Sequence, residues 1–181
     1  MQRLISLWRT QHGAAQPVPA TALGNLGVAL IKSGRYPEAV TVLEEALAAI
    51  LATSKEDSLE VGVTRNNLGE AYLHVHRWTE AERLLRQSIE TLEPLGMQEV
   101  GDAFDSFAAL REAQENWPEA GQLRLRALAS WQRNVGDGHT EVVRQMEKLA
   151  HVLDRQQRTT ERDLYLRRAQ EMKESLKCMV S

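Results

Sequence analysis

A six-residue phrase that recurs at nearly constant spacing constrains this chain more than any other feature of its sequence. It reads GRYPEA at 34–39, HRWTEA at 76–81, ENWPEA at 115–120 and, in a weaker copy, QRTTER at 157–162. Successive copies begin 42, 39 and 42 residues apart. A fixed period of this size is typical of stacked repeat arrays, in which each unit buries its apolar face against the next.

Each copy of this joint phrase lies between two stretches with helical periodicity. The stretch before it contains a column that is always small, preceded by one that is always large and apolar. The small column consists of Gly27, Gly69, Ala108 and Ala150. Glycine lowers helix propensity, so we expect a neighbouring helix to approach closely at this column. After the joint, Ala39, Leu43 and Ala46 have the spacing of one helix face, and Pro37 suits a first helical turn. The predicted unit is helix–turn–helix, and the chain is predicted to be all-α.

Composition excludes several classes of partner and site. The 181 residues carry a formal net charge of -3, which gives no basic footprint for nucleic acid or an acidic membrane. The single cysteine, Cys178, permits neither an intrachain disulfide nor a thiolate zinc cluster, and a reducing, cytoplasmic setting fits best. We recognise no signal peptide, and no run approaches the roughly 18 apolar residues of a membrane span.

The asparagine-leucine-glycine runs at 25–27 and 67–69, together with the aromatic-x-Glu-Ala joint, resemble the tetratricopeptide repeat (TPR) family. The likeness is to the long repeats, of about 42 residues, of kinesin light chains, and it extends over nearly the whole chain. It implies a right-handed superhelical α-solenoid. The residues that carry the repeat signature are Gly27, Tyr36, Ala39, Gly69, Trp78, Ala81, Ala108, Trp117, Ala120 and Ala150. The joint aromatics Tyr36, Trp78 and Trp117 are expected to pack between helices.

The aligned phrases predict one TPR domain over 1–181. Its four repeats are expected at 20–54, 61–93, 99–135 and 140–176, the last degenerate and capping, followed by a tail at 177–181. Residues 1–13 resemble the end of a second-type helix. They are interpreted as a partial repeat or N-terminal cap, or as a sign that the chain is cut from a longer array. Three positions depart from the pattern: Arg111 and Arg124 occupy usually apolar columns, and Arg162 replaces the small joint residue.

The resemblance implies that first helices line a concave groove that binds protein or peptide segments. The groove candidates are Asn25, Asn66, Asn67, Glu70, His74, Asp102, Asp105, Glu112, Arg144 and Lys148. Their order predicts a surface that runs from apolar through amide-rich and acidic to basic. Exposed Asn25, Asn66 and Asn67 amides could hold a peptide backbone, since an amide both donates and accepts; alternatively they cap helices or bond between them. The acidic residues either attract a basic segment or form a solvated helix face.

The sequence contains no pattern that supports catalysis, so the chain is not expected to be an enzyme. No catalytic residue, cofactor or metal site is assigned. His74 and His76 are two residues apart, which points them to different sides of a helix. No phosphate loop, nucleophile elbow or metal-ligand helix motif is present. Of the positions with which some TPR domains clamp an acidic chaperone tail, only Asn67 fits, and Asp102 would repel that ligand.

The predicted function is that of a non-catalytic scaffold that captures a peptide or protein segment in its groove. The alternative is a self-associating module, such as a homodimer formed through the solenoid end. The charged segment 163–176 at that end contains the apolar residues Leu164, Leu166 and Met172. It is followed by the apolar run Cys178-Met179-Val180. An end without a further repeat leaves an apolar face uncovered. A third reading is a regulatory sensor arm of a larger complex or longer chain.

Overall fold

All regular secondary structure in the part of the chain that the computed structural model describes, residues 18–96 and 98–180, is helical. The predicted all-α class is therefore confirmed for these residues. The eight helices are α1 (Ala20–Lys32), α2 (Tyr36–Leu51), α3 (Leu59–His74), α4 (Trp78–Leu92), α5 (Glu99–Ala113), α6 (Trp117–Val135), α7 (Thr140–Arg155) and α8 (Thr159–Val180). The partial repeat predicted at 1–13 lies outside the described residues.

The helices pack in two layers. Each odd-numbered helix packs on the even-numbered helix that follows it, and each even-numbered helix packs on the next unit. The first helices also touch one another in succession, α1 against α3 and α3 against α5. We call the surface of α1, α3, α5 and α7 the inner layer. Because each unit contacts only its neighbours, the core extends along the array, from Leu23 of α1 to Ala169 of α8.

The joint phrase forms a left-handed turn in every unit. Its first residue has positive φ in all four copies: 73° at Gly34, 61° at His76, 56° at Glu115 and 59° at Gln157. In the first copy the Gly34 amide donates to the Ile31 carbonyl and the Arg35 amide to the Leu30 carbonyl. The same pair of bonds recurs in the other copies and is the Schellman motif, which satisfies the last carbonyls of the preceding helix.

The small column lies where the two helices of a unit come closest, as the sequence predicts. A Cβ added at Gly27 would lie 2.4 Å from the Leu43 Cγ, and one at Gly69 would lie 2.7 Å from the Leu85 Cγ. Ala108 is fully buried in the same column of the next unit. The leucine of the second helix thus fills the space that the missing side chain leaves.

The joint aromatics pack on the following unit in two of three cases. The Tyr36 ring stacks on His74 at 4.0 Å, and Arg155 lies 4.6 Å from the Trp117 ring. Trp78 does not follow the expectation and remains 37% exposed. The equivalent position of the following helix is Ala113, which offers neither a ring nor a guanidinium group to cover the indole.

The two arginines that depart from the repeat pattern are buried and paired with carboxylates. Arg111, 7% exposed, lies 2.7 Å from Glu82 of the preceding unit and 2.8 Å from Glu119. Arg124, 3% exposed, pairs with Asp105 and lies 2.6 Å from Glu112. A buried guanidinium is tolerated only where such partners satisfy it. The departures are therefore compensated within the array.

Two glycines of α1 give a matched test of the close helix contact. Gly27→Ala should destabilise the fold by about 1–3 kcal/mol, because the new methyl group overlaps Leu43. Gly24→Ala should stabilise it by about 1 kcal/mol, since nothing lies within 4 Å of that position and alanine is the better helix former. Urea unfolding followed by circular dichroism measures both changes. Equal effects at the two positions would contradict the close contact.

Arg124 is predicted to contribute more to stability than an exposed arginine two residues further along α6. Arg124→Met should lower the free energy of unfolding by about 3 kcal/mol, because Asp105 and Glu112 lose a buried counter-charge. The control is Arg126→Met, whose side chain is 48% exposed beside Glu93, with an expected loss below about 1 kcal/mol. Comparable losses in urea titrations would show that burial of the Arg124 pair is unimportant.

Candidate functional site

The candidate residues all lie on first helices. Asn25 is on α1; Asn66, Asn67, Glu70 and His74 are on α3; Asp102, Asp105 and Glu112 are on α5; and Arg144 and Lys148 are on α7. The structure divides them into side chains whose polar groups are satisfied within the protein and side chains whose groups are not. Only the second class is available to a ligand without breaking an existing contact.

Half of the candidates are engaged by neighbouring side chains. Arg124 holds both Asp105 and Glu112, and the Lys148 ammonium lies 2.6 Å from the second Asp105 oxygen. Arg144 donates to Glu141. His74 is stacked against Tyr36, where desolvation, and then the nearby charge of His76, lower the pKa of its imidazole. Of these contacts, Lys148 with Asp105 and His74 with Tyr36 join adjacent units, whereas the others lie within one unit.

The asparagines differ in exposure. Asn25 is exposed and Asn67 is half-buried, and neither side-chain amide hydrogen-bonds to another described residue. The expectation of an exposed amide is wrong for Asn66, which is only 6% exposed. Its Oδ1 is nonetheless buried without a hydrogen-bond partner among the described residues. Such an orphaned acceptor costs free energy.

Glu70 and Asp102 are carboxylates without an ion pair among the described residues. Desolvation, followed by the charge of Asp105, raises the pKa of Glu70, although Lys148 opposes the shift. Desolvation, Asp105 and Glu141 raise the pKa of Asp102 to about 6, against the effect of Arg144. Asp102 remains exposed to solvent, whereas Glu70 is half-buried. Both acids are therefore held in an environment that disfavours their negative charge.

The inner layer therefore differs from the charge order that the sequence suggests. Its basic end is largely neutralised, since Lys148 and Arg144 already pair with Asp105 and Glu141. Glu70 on α3 and Asp102 on α5 carry negative charge without an ion-pair partner among the described residues, on two helices that pack together. The half-buried Asn67 lies on α3 as well. This arrangement can accept hydrogen bonds from a cationic or polar ligand and can bond a peptide backbone.

Arg124 belongs to this site but is not among the groove residues that the TPR resemblance predicts. It lies on α6, the second helix of the unit, and pairs with Asp105 and Glu112 of α5, the first helix. The signal for it was present in the sequence, because an arginine in an apolar column requires carboxylates close by.

Neither a metal site nor a membrane-spanning helix is found in the described part of the chain. No group of three or more His, Cys, Asp or Glu side chains within the described ranges is placed to hold a metal ion. Among the described helices, none is both long and apolar enough to cross a membrane.

Comparison with solved structures shows the same fold at low sequence identity. BtubC (BKLC) from P. vanneervenii superposes with a TM-score of 0.78 at 20% identity, over 94% of this chain and 70% of that one. Two crystal structures of a Podosopora anserina protein described as a kinesin light chain with nearly identical TPR-like repeats, one of them a single-residue variant, give TM-scores of 0.75 and 0.71. Both have 17% identity and cover 97% of this chain and 84% of theirs. None of the curated proteins compared with the chain matches it.

The family comparison agrees with the repeat phrases. The tetratricopeptide repeat model matches residues 2–93, about half of the chain. Repeats of this family generally mediate protein–protein interaction. The resemblance and the solenoid fold predicted from the sequence are confirmed, and the chain belongs to the tetratricopeptide repeat family.

Proposed function

We propose that this protein is a non-catalytic interaction module that captures an extended peptide segment of another protein on its inner layer. The observation that carries the proposal is the pair of unengaged amides, Asn25 and Asn67, on the surface where consecutive first helices meet. A structural amide is expected to cap a helix or bond to a neighbour, and these two do neither within the described residues.

The hydrogen-bonding capacity and the charge of the inner layer support the same proposal. An amide can donate to a peptide carbonyl and accept from a peptide N–H, so it holds extended backbone with little regard to side chains. The flanking acids Glu70 and Asp102 would then set the register of the segment. A reducing, cytoplasmic setting remains part of the proposal, because a single cysteine permits no intrachain disulfide.

The contribution of Asn67 can be measured with peptides selected from a random display library against the protein. Asn67→Ala should weaken the selected peptides about tenfold, the effect of losing a hydrogen bond or two. The melting temperature should stay nearly unchanged, because Asn67 bonds to no described residue. Gln87→Ala on α4, outside the inner layer, is the matched control and should bind like wild type.

Unchanged affinity of the selected peptides for Asn67→Ala would contradict the proposal. A clear loss of stability in the same variant would show, in addition, that Asn67 is a structural amide.

A second candidate, self-association through α8, is favoured by one observation. Leu164 and Leu166 are 50% and 44% exposed on this helix, whereas Met172 packs partly against the core. Apolar side chains left uncovered on a terminal helix suit a second copy of the chain.

Light scattering over a concentration series tests this second candidate. If α8 forms the interface, wild type should show a dimer mass that Leu164→Gln with Leu166→Gln reduces to a monomer mass. A monomer mass for wild type throughout the series would exclude it.

A further inference from the structure

We propose that the meeting line of α3 and α5 is a subsite for one basic side chain, lysine or arginine, of the bound segment, held by Glu70 and Asp102 above the orphaned Asn66 Oδ1. This inference rests on the proposed function and deepens it, because it names the chemistry of the segment. It makes the preferred partner a basic peptide, whereas amide contacts alone would hold a segment of any charge.

The two helices bring the three acceptors to one place. Asn66 and Glu70 are four residues apart on α3 and share a helix face. Helix α3 packs on α5, which carries Asp102 and Asp105, and the charge of Asp105 acts on Glu70. The charge of Asp105 acts on both Glu70 and Asp102, and that of Glu70 acts on Asp102, so the acids lie within electrostatic reach of one another.

The neighbouring cations Lys148 and Arg144 offset the charges of Glu70 and Asp102 only in part. Lys148 is committed to Asp105, and Arg144 is committed to Glu141, the acid of α7 that also faces Asp102. Arg124 is buried between Asp105 and Glu112. Every cation that faces the subsite therefore already has a carboxylate partner, and Glu70 and Asp102 have none among the described residues.

The missing partner is a hydrogen-bond donor that carries positive charge. Asn66 is buried, with 6% of its surface exposed, and its Oδ1 accepts no hydrogen bond from any residue in the described ranges. An ammonium or guanidinium group donates several hydrogen bonds at once and would serve this oxygen together with the carboxylates. A divalent metal ion fits less well, because no group of three His, Cys, Asp or Glu ligands within the described ranges converges on one point.

The free protein should therefore be less stable with the Asp102 charge than without it. Its carboxyl pKa is raised from 3.8 to about 6, so the folded protein binds a proton more tightly than the unfolded chain does. The destabilisation is complete above about pH 6 and disappears below the ordinary value of 3.8. A residue that binds a ligand at the expense of the free fold has this property.

The test uses acetylated, fluorescein-labelled peptides with alternating alanine, in which the other residue is lysine, arginine, glutamine or glutamate. Fluorescence anisotropy measures their affinity for wild type, Asn67→Ala, Asp102→Asn, Glu70→Gln and Glu45→Gln. The last variant is the charge-matched control, since Glu45 is exposed on α2 and forms no ion pair among the described residues. Acetylation removes the terminal amine as an alternative cation.

We expect the lysine and arginine peptides to bind more tightly than the glutamine peptide. Asp102→Asn and Glu70→Gln should each weaken them about tenfold, the factor that corresponds to one charge-assisted bond. Glu45→Gln should change affinity less than about twofold. At pH 7.5, Asp102→Asn should also melt at a higher temperature than wild type, and this difference should vanish at pH 3.5.

The inference would be overturned if Glu45→Gln weakened the basic peptides as much as Asp102→Asn does, since general charge attraction would then explain binding. A lower melting temperature of Asp102→Asn at pH 7.5 would overturn it as well, because the carboxylate would then have a structural partner. If the glutamine peptide binds as tightly as the basic ones and loses affinity in Asn67→Ala, only this inference fails. If none of the four peptides binds, it fails together with the proposed groove.

Discussion

The close contact between the two helices of each unit is the interaction on which the rest of the array depends. Gly27 and Gly69 leave no side chain at the point of contact, and Leu43 and Leu85 fill the space. The left-handed residue at the joint reverses the chain direction between these two helices. Units built in this way are alike enough to stack, so their first helices meet in one inner layer. The layer presents whatever polar side chains the packing does not need.

Charge on that layer is divided between holding units together and remaining available. The buried arginines form ion pairs with nearby carboxylates: Arg124 pairs with Asp105 and Glu112, and Arg111 pairs with Glu82. Glu70 and Asp102 are left without counter-charges among the described residues, and their pKa values rise. Asp105 and Glu112 are thus paired within the array, whereas Glu70 and Asp102 have no ion-pair partner among the described residues. These two acids are the basis of the proposed recognition of a basic segment.

The sequence contained the fold but only part of the site. Repeating columns reveal helices, turns and close contacts, because each follows from local periodicity and from the size of one residue, as at Gly27. Which carboxylates remain free depends on distances between helices 12 to 43 residues apart in the chain, as for Glu112 with Arg124 and Asp105 with Lys148. Burial of Asn66 and exposure of Trp78 likewise depend on what the adjacent unit supplies. The repeat columns predict the structure within one unit. Burial and exposure of these side chains depend instead on the contacts between one unit and the next.

The measurement that tests this account most directly is the titration of the Asp102 carboxyl by carbon-detected NMR in the free protein. The account predicts a midpoint near 6, because burial and the charges of Asp105 and Glu141 oppose ionisation while Arg144 compensates only in part. A midpoint at or below the ordinary value of 3.8 would contradict it. Asp102 would then be either well solvated or already paired, and the inner layer would hold no uncompensated acid there to recognise a cation.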